Sequence, residues 1–287
     1  VRKGAGPVRT LRKAYLEITN VCNLSCAFCP GTRRPASFLS PEDFHTLAAG
    51  LRPHTQYLYL HLMGEPLLHP RLDAVLSQAE ELGFHVMLTT NGTLLGQRQN
   101  LLLSSPAVKK VSVSLHSFEG SQREGLTDYL TECLSFAKAA GEAGKKCALR
   151  LWNLGEAHGY NRLNGDILAA LEKAFSPPWT EGRRGTTLAP NVFLEWGERF
   201  DWPDLSAGDG QPPTFCYGLR DQVGVLVDGT VVPCCLDHEG DIPLGNLFQN
   251  SLKEILDTPR AQAVYDGFSQ GQAREPLCRK CGFARRF

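Results

Sequence analysis

The sequence predicts an α/β fold, with one large domain of six strand–helix units on a parallel sheet over residues 1–203 and a small cysteine-bearing domain over residues 204–287. Three observations predict it. From Tyr15 to Trp196, β-prone and helix-like segments alternate, the pattern of crossover connections between parallel strands. A Pro-, Gly- and Asp-rich stretch over 201–213 then breaks the alternation and reads as a linker. Most of the 10 cysteines fall into two groups with ligand-like spacing, one near each end of the chain.

The elements follow in order. A first strand over 15–19 runs into the loop Cys22-Asn-Leu-Ser-Cys26-Ala-Phe28-Cys29. Ser40-Pro41-Glu42-Asp43 opens a helix, with serine as N-cap, proline at the first helical position and acids at the positive end of the dipole. The second strand, 56–63, ends at Gly64-Glu65-Pro66, and the helix over 70–82 stops at Gly83, a left-handed C-cap. The third strand, 84–89, ends at Thr90-Asn91-Gly92, and the fourth, 110–115, at His116-Ser117. A long helix over 126–143, a fifth strand over 146–152, a helix over 166–175, a Pro/Gly/Arg-rich loop and a sixth strand over 192–196 complete the large domain. Beyond the linker, strands over 222–227 and 230–235 flank Asp228-Gly229, a hairpin signal, and a last helix covers 251–268.

Composition narrows the function. With 30 basic and 30 acidic side chains and no charge blocks, nothing supports a nucleic-acid partner. No apolar run reaches the length of a membrane span and the first residues lack a signal-peptide core, so a cytoplasmic protein is expected. Cysteines in a reducing compartment point to metal ligation rather than disulfides, with Cys133 and Cys147 read as buried small hydrophobes.

Three thiolates within eight residues can wrap one corner of an iron–sulfur cluster, and the lack of a fourth cysteine nearby leaves one iron open. Spacing alone also fits a zinc site short of a ligand. The C-x3-C-x2-C pattern with Phe28 before the last cysteine resembles the signature of the radical S-adenosylmethionine (radical SAM) enzymes. That resemblance implies a partial (β/α)6 TIM-like barrel. It implies a 4Fe-4S cluster on Cys22, Cys26 and Cys29, with the amino and carboxylate groups of SAM on the open iron. It further implies reductive cleavage of SAM to a 5′-deoxyadenosyl radical that abstracts hydrogen from the substrate, with a flavodoxin- or ferredoxin-type electron donor.

In barrels of parallel strands, active sites form where the strands end. Gly64 and Glu65 resemble the family's contact with the SAM amino group, although Met63 stands where a further glycine is usual. Ser114 resembles a ribose or carboxylate contact. Arg150, a charge within an apolar strand, resembles a clamp on the SAM carboxylate; a salt bridge to Glu17 or Glu195 is the alternative. Phe28 is a candidate to lie against the adenine, and Asn91, Trp152, Asn153 and Glu156 are expected on the same rim. His116, where an acid is common in the family, is either a solvated loop residue or a substrate ligand and proton shuttle.

Cys216, Cys234, Cys278 and Cys281 make a complete ligand set that fits structural zinc or iron–sulfur. Within the resemblance they look like a SPASM extension in its shortened form, called twitch, holding one auxiliary 4Fe-4S cluster, because no cysteines follow Cys281. Cys235 either substitutes for Cys234 or is free, and a free thiol there could donate a hydrogen atom; Asp237 and His238 are candidate acids or bases at the same edge. The expected reaction is a net two-electron oxidation, a dehydrogenation or a peptide cross-link. The alternatives are epimerisation through Cys235 and a non-catalytic iron–sulfur or zinc protein. Few residues precede the first strand, which favours a small-molecule substrate or a peptide delivered by a separate partner.

Overall fold

Along each barrel strand the small and branched apolar side chains fall on alternate positions, so one face of the sheet is apolar and receives the helices while the other is polar. The computed structural model describes residues 9–154, 161–182, 185–208 and 210–286. Its strands are β1 (Lys13–Leu16), β2 (Tyr57–Tyr59), β3 (His85–Thr90), β4 (Val108–Ser114), β5 (Lys146–Leu154), β6 (Thr180–Gly182), β7 (Gly185–Ala189), β8 (Val192–Glu198), β9 (Gln222–Val225), β10 (Thr230–Val232) and β11 (Gly245–Asn246). Its helices are α1 (Pro41–Leu51), α2 (Leu72–Glu81), α3 (Leu95–Ser104), α4 (Ser117–Gly120), α5 (Leu126–Glu142), α6 (Asn164–Ala174), α7 (Leu252–Leu256), α8 (Pro259–Ser269) and α9 (Pro276–Arg279).

The sheet order is β11-β10-β9-β1-β2-β3-β4-β5-β8-β7-β6. The six strands from β1 to β8 that the sequence predicts pair in parallel and in chain order. β9 adds a further parallel strand beside β1, and β10 and β11 continue antiparallel from it. At the other side β7 and β6 turn back antiparallel on β8. The two outer strands do not pair with each other, so the barrel is partial. Ala14, Leu16, Leu58, Val86, Val113, Leu149 and Leu151 are fully buried on the helix side, packed in one core with Phe44, Leu47, Leu72 and Phe136. Among the described residues no helix is long and apolar enough to cross a membrane.

The structure departs from the sequence reading at several places; the second strand, expected over 56–63, is only Tyr57–Tyr59. α3 was not predicted: its N-cap position is Leu94, which makes no side-chain cap, so no start signal marks it. The loop expected after α6 contains the β6–β7 hairpin, whose strands are too short to show alternation. The single C-terminal helix is two, because Thr258 caps a new start by accepting from the Ala261 amide, followed by Pro259. β1 ends at Leu16, short of the expected Thr19, although the Glu17 amide still donates to the Val225 carbonyl at 2.9 Å.

Candidate active site

The cysteine loop leaves β1 through a neck. Thr19 Oγ1 donates to the Ser37 carbonyl at 2.8 Å, and the Asn20 amide side chain bonds the Pro35 carbonyl and the Ser37 amide, each at 2.8 Å. The segment after β2 fits directly against this neck. Gly64 has φ +74°, and a Cβ there would stand 2.5 Å from the Thr19 carbonyl oxygen and 2.8 Å from that of Val21. Only glycine allows this approach. The Glu65 amide donates to the Val21 carbonyl at 2.8 Å.

The far side of the loop rests on the ends of β3 and β4. Asn91 Nδ2 donates to Asn23 Oδ1 at 2.9 Å and approaches Cys22 Sγ at 3.9 Å. The Ala27 amide donates to the Gly120 carbonyl at 2.9 Å, and Cys26 Sγ lies 3.6 Å from the Ser117 carbonyl. Phe28 is half-buried, with its ring 5.0 Å from that of His116 and pressed on Gly120. Burial raises the Cys22, Cys26 and Cys29 thiols, Cys26 to about 12, and Cys29 and Cys22 raise Cys26 further. The three sulfurs are thus near neighbours in one loop, and a metal group binding them displaces their protons. A set of three soft donors facing outward fits a cluster whose fourth corner comes from elsewhere.

Glu65 is 2% exposed and spans two strand ends: its carboxylate accepts from the Leu67 amide at 3.0 Å, Thr90 Oγ1 at 2.8 Å and the Asn91 amide at 2.7 Å. Burial pushes its carboxyl up to about 7 against those hydrogen bonds. Ser114 and Arg150 stand side by side in the β4–β5 register. Arg150 Nε pairs with Glu195 Oε2 at 2.9 Å, Arg150 Nη1 reaches Thr89 Oγ1 at 3.3 Å, and the guanidinium lies 4.8 Å over the Trp152 ring. Of the two acids weighed for it, Glu195 is the partner; Glu17 pairs elsewhere. His116 is buried rather than solvated, its Nδ1 bonded to the Arg150 carbonyl at 3.2 Å, and burial lowers it to about 4. Asn153 exchanges amide hydrogen bonds with Asn164. Glu156 lies outside the described residues.

One residue at this site, Arg34, carried no sequence signal, and Glu17 was weighed only as a partner for Arg150. Glu17 is fully buried and holds Arg34 bidentately at 2.7 Å through both oxygens. It also accepts from the Met63 amide at 3.2 Å and the Val227 amide at 3.0 Å, while Arg34 Nε donates to the His238 carbonyl at 2.8 Å. One ion pair therefore ties the exit of the cysteine loop to β1, to the β2 end and to the C-terminal hairpin.

In the C-terminal region Cys216, Cys234, Cys278 and Cys281 line one small cavity, together with Leu236 and Asp237. Burial raises all four thiols, Cys216 to about 11, and neighbouring cysteines push Cys216, Cys234 and Cys278 higher. Among the described residues no three His, Cys, Asp or Glu side chains converge on a single metal ion. Four thiols around one cavity make a complete soft-donor set. The adjacent Cys235 does not line that cavity; it packs both beside Tyr15 and against the cluster that holds Cys281. Asp237 is 2% exposed, and its carboxylate accepts from the Asp241 and Ile242 amides at 2.8 and 2.9 Å, which closes its own turn. His238 packs edge-on to Trp202.

The family model of the radical SAM superfamily matches residues 16–154, from the end of β1 to the end of β5, and an iron–sulfur cluster-binding domain, SPASM, matches residues 216–282. A probable GTP 3′,8-cyclase of Sulfurisphaera tokodaii is 32% identical over an alignment covering 88% of this chain and 90% of that protein. The chain belongs to the radical SAM superfamily. As a radical SAM enzyme with a SPASM domain it binds SAM, a 4Fe-4S cluster and auxiliary iron–sulfur. A probable GTP 3′,8-cyclase of Pyrobaculum aerophilum is 28% identical, but the match spans only 42% of this chain and 39% of that protein. Among solved structures, BtrN in complex with AdoMet and 2-DOIA has a TM-score of 0.58 at 16% identity, covering 96% of this chain and 94% of its own. SuiB of Streptococcus suis bound to precursor peptide SuiA has a TM-score of 0.59 at 17% identity, covering 96% and 70%. These likenesses are of fold.

Proposed function

We propose that Cys22, Cys26 and Cys29 hold the SAM-binding cluster and that this radical SAM enzyme carries out a net two-electron oxidation of its substrate, a dehydrogenation or a cross-link. When bound, the cofactors supply an electron that cleaves SAM to a 5′-deoxyadenosyl radical and an auxiliary cluster able to accept the second substrate electron. The protein's part is placement. Gly64 and Glu65 would receive the SAM amino group, and Ser114 and Arg150 its carboxylate or ribose. Phe28, backed by Gly120, would lie on the adenine. Asn91 links the cysteine loop to Glu65, so loop and SAM contacts move together.

Cys216, Cys234, Cys278 and Cys281 would hold one auxiliary cluster, with the small domain beginning near residue 204. The observation that carries the reading is the incomplete three-thiol loop fitted backbone to backbone on the strand ends, with a complete four-thiol set lodged separately. The substrate would be a small molecule or a peptide, in keeping with relatives named as cyclases and a structural neighbour crystallised with a precursor peptide.

The test is anaerobic reconstitution with iron and sulfide, then reductant and SAM. Release of 5′-deoxyadenosine supports the reading, and its absence with clusters present sinks it in favour of an electron carrier. Radical epimerisation is the second reading, favoured by Cys235 lying beside the four-cysteine cavity without lining it. In deuterated solvent, a C235A variant that still turns over and leaves no solvent deuterium in the product eliminates it.

A further inference from the structure

On the polar face of the sheet one carboxylate serves two cations. Glu195 Oε2 accepts from Arg150 Nε at 2.9 Å, and Glu195 Oε1 accepts from Lys110 Nζ at 2.5 Å. All three side chains are at most 26% exposed, and among the described residues no other carboxylate lies within salt-bridge distance of either cation. Against its own burial, the Arg150 and Lys110 charges hold the Glu195 carboxyl below its usual range, so it is ionised at neutral pH. Two cations and one anion leave the group with a net positive charge.

The register sets the two cations at different depths. Arg150 stands opposite Ser114 of β4 and Glu195 of β8, one row across three adjacent parallel strands. Lys110 shares the face of β4 that carries Ser114 but lies four residues, ~13 Å, earlier along the strand. It therefore reaches Glu195 from below and acts on the row only through that carboxylate. The Arg150 guanidinium is fixed at the level of the row: Thr89 Oγ1 accepts from Nη1 at 3.3 Å, and the Trp152 ring lies 4.8 Å away. Its Nη2 is not sealed from solvent and donates to no group among the described residues. An arginine paired one-to-one with glutamate is neutral and attracts a further carboxylate weakly. With Lys110 sharing the same glutamate, charge is left over, and Nη2 is the free donor through which an anion can meet it.

We propose that Glu195 and Lys110 are positioning residues for SAM: Glu195 orients the Arg150 guanidinium, and Lys110, by sharing Glu195, leaves the Arg150 charge unanswered until the SAM carboxylate meets it. The inference rests on the functional reading above, in which Arg150 receives that carboxylate, and adds two residues that act on SAM through Arg150. It has a distinctive consequence. Neutralising Lys110 weakens SAM binding, and neutralising Glu195 as well restores it, because glutamine still accepts from Arg150 Nε while the net positive charge returns. An ion pair with a structural role alone changes stability and leaves SAM affinity where it was.

The test is calorimetric titration of SAM into anaerobically reconstituted, unreduced protein, with iron and sulfide content and thermal unfolding recorded for each variant. Lys110→Met raises the Kd for SAM by about fivefold. Lys110→Met combined with Glu195→Gln returns it to within about twofold of wild type. Lys109→Met, the same charge change on an exposed neighbour, leaves it unchanged. If Lys110→Met fails to retain its clusters, Glu195→Gln alone carries the test, with SAM bound about fivefold tighter because both cations then lack their counter-charge. A Lys110→Met protein with wild-type affinity, a double variant as weak as the single one, or a Glu195→Gln protein that binds SAM no tighter overturns the inference. Arg150→Met separates it from the reading beneath it, with weakening of about tenfold or more expected. Weakening by Arg150→Met but not by Lys110→Met sinks the inference alone. Wild-type affinity in Arg150→Met sinks the carboxylate contact assigned to Arg150, and the inference with it. Absence of SAM cleavage on reducing the wild-type preparation, with the affinities as expected, sinks the functional reading alone.

Discussion

Gly64→Ala tests how the cysteine loop is held. The new methyl would fall 2.5 Å from the Thr19 carbonyl oxygen and 2.8 Å from both the Asn20 carbonyl carbon and the Val21 carbonyl oxygen. All three are backbone atoms of the loop neck, so no side chain can swing aside. The left-handed φ of +74° adds about 1–2 kcal/mol for a residue with a Cβ. The steric insertion adds about 1–3 kcal/mol. A total of about 2–5 kcal/mol lowers Tm by about 5–15 °C. The strain lands on the segment that carries Cys22, so the variant also loses the iron and sulfide of the SAM cluster while keeping the auxiliary one. Gly31→Ala in the same loop is the control: its φ is +66°, but nothing lies within 4 Å of the new methyl. That change costs about 1 kcal/mol and spares both clusters. Anaerobic iron and sulfide analysis with thermal unfolding reads both effects. A Gly64→Ala protein with the full iron content and melting point of Gly31→Ala would refute the argument.

Arg34→Met strands the buried Glu17 carboxylate and destabilises the protein by about 3–5 kcal/mol in chemical denaturation; Glu17→Gln with Arg34→Met recovers part of the loss, whereas strictly additive changes would deny the clasp. Cys278→Ser abolishes the auxiliary cluster but leaves 5′-deoxyadenosine formation measurable by chromatography, with no oxidised product. Glu65 makes stability pH-dependent. Its folded carboxyl titrates near 7 against 4.5 for the free group, so the folded state binds the extra proton between those values. Stability therefore falls as pH rises through that window, by about 3 kcal/mol in all, and levels off above it. Urea denaturation from pH 5.5 to 8 should show that slope in the wild type and not in Glu65→Gln, and parallel profiles would contradict it.

What the sequence made legible was local or periodic. The parallel strands show as alternation, and their ends converge, so the cysteine loop, Gly64-Glu65, Asn91 and Ser114 could be placed near one another before any contact was known. The Glu17–Arg34 clasp was illegible because its value lies in meeting Met63, Val227 and His238, partners scattered over the chain. Cys234 and Cys235 are neighbours of one residue type, and only the turn of the backbone puts one in the lining of the cysteine cavity and leaves the other beside it. Asp237 looked like a free acid, but its carboxylate is engaged by two amides of its own loop. His61 drew no notice within an apolar strand, since an orphan ring nitrogen appears only once every neighbour is in place.

The central claim is that the ligand missing from the Cys22, Cys26 and Cys29 set is SAM. Electron–nuclear double resonance on the reduced Cys278→Ser protein, which retains only that cluster, tests it with SAM carrying 15N in its amino group. A 15N coupling to the reduced cluster that vanishes with unlabelled SAM is the predicted result. A reduced cluster whose spectrum shows no such coupling at saturating SAM would contradict the account.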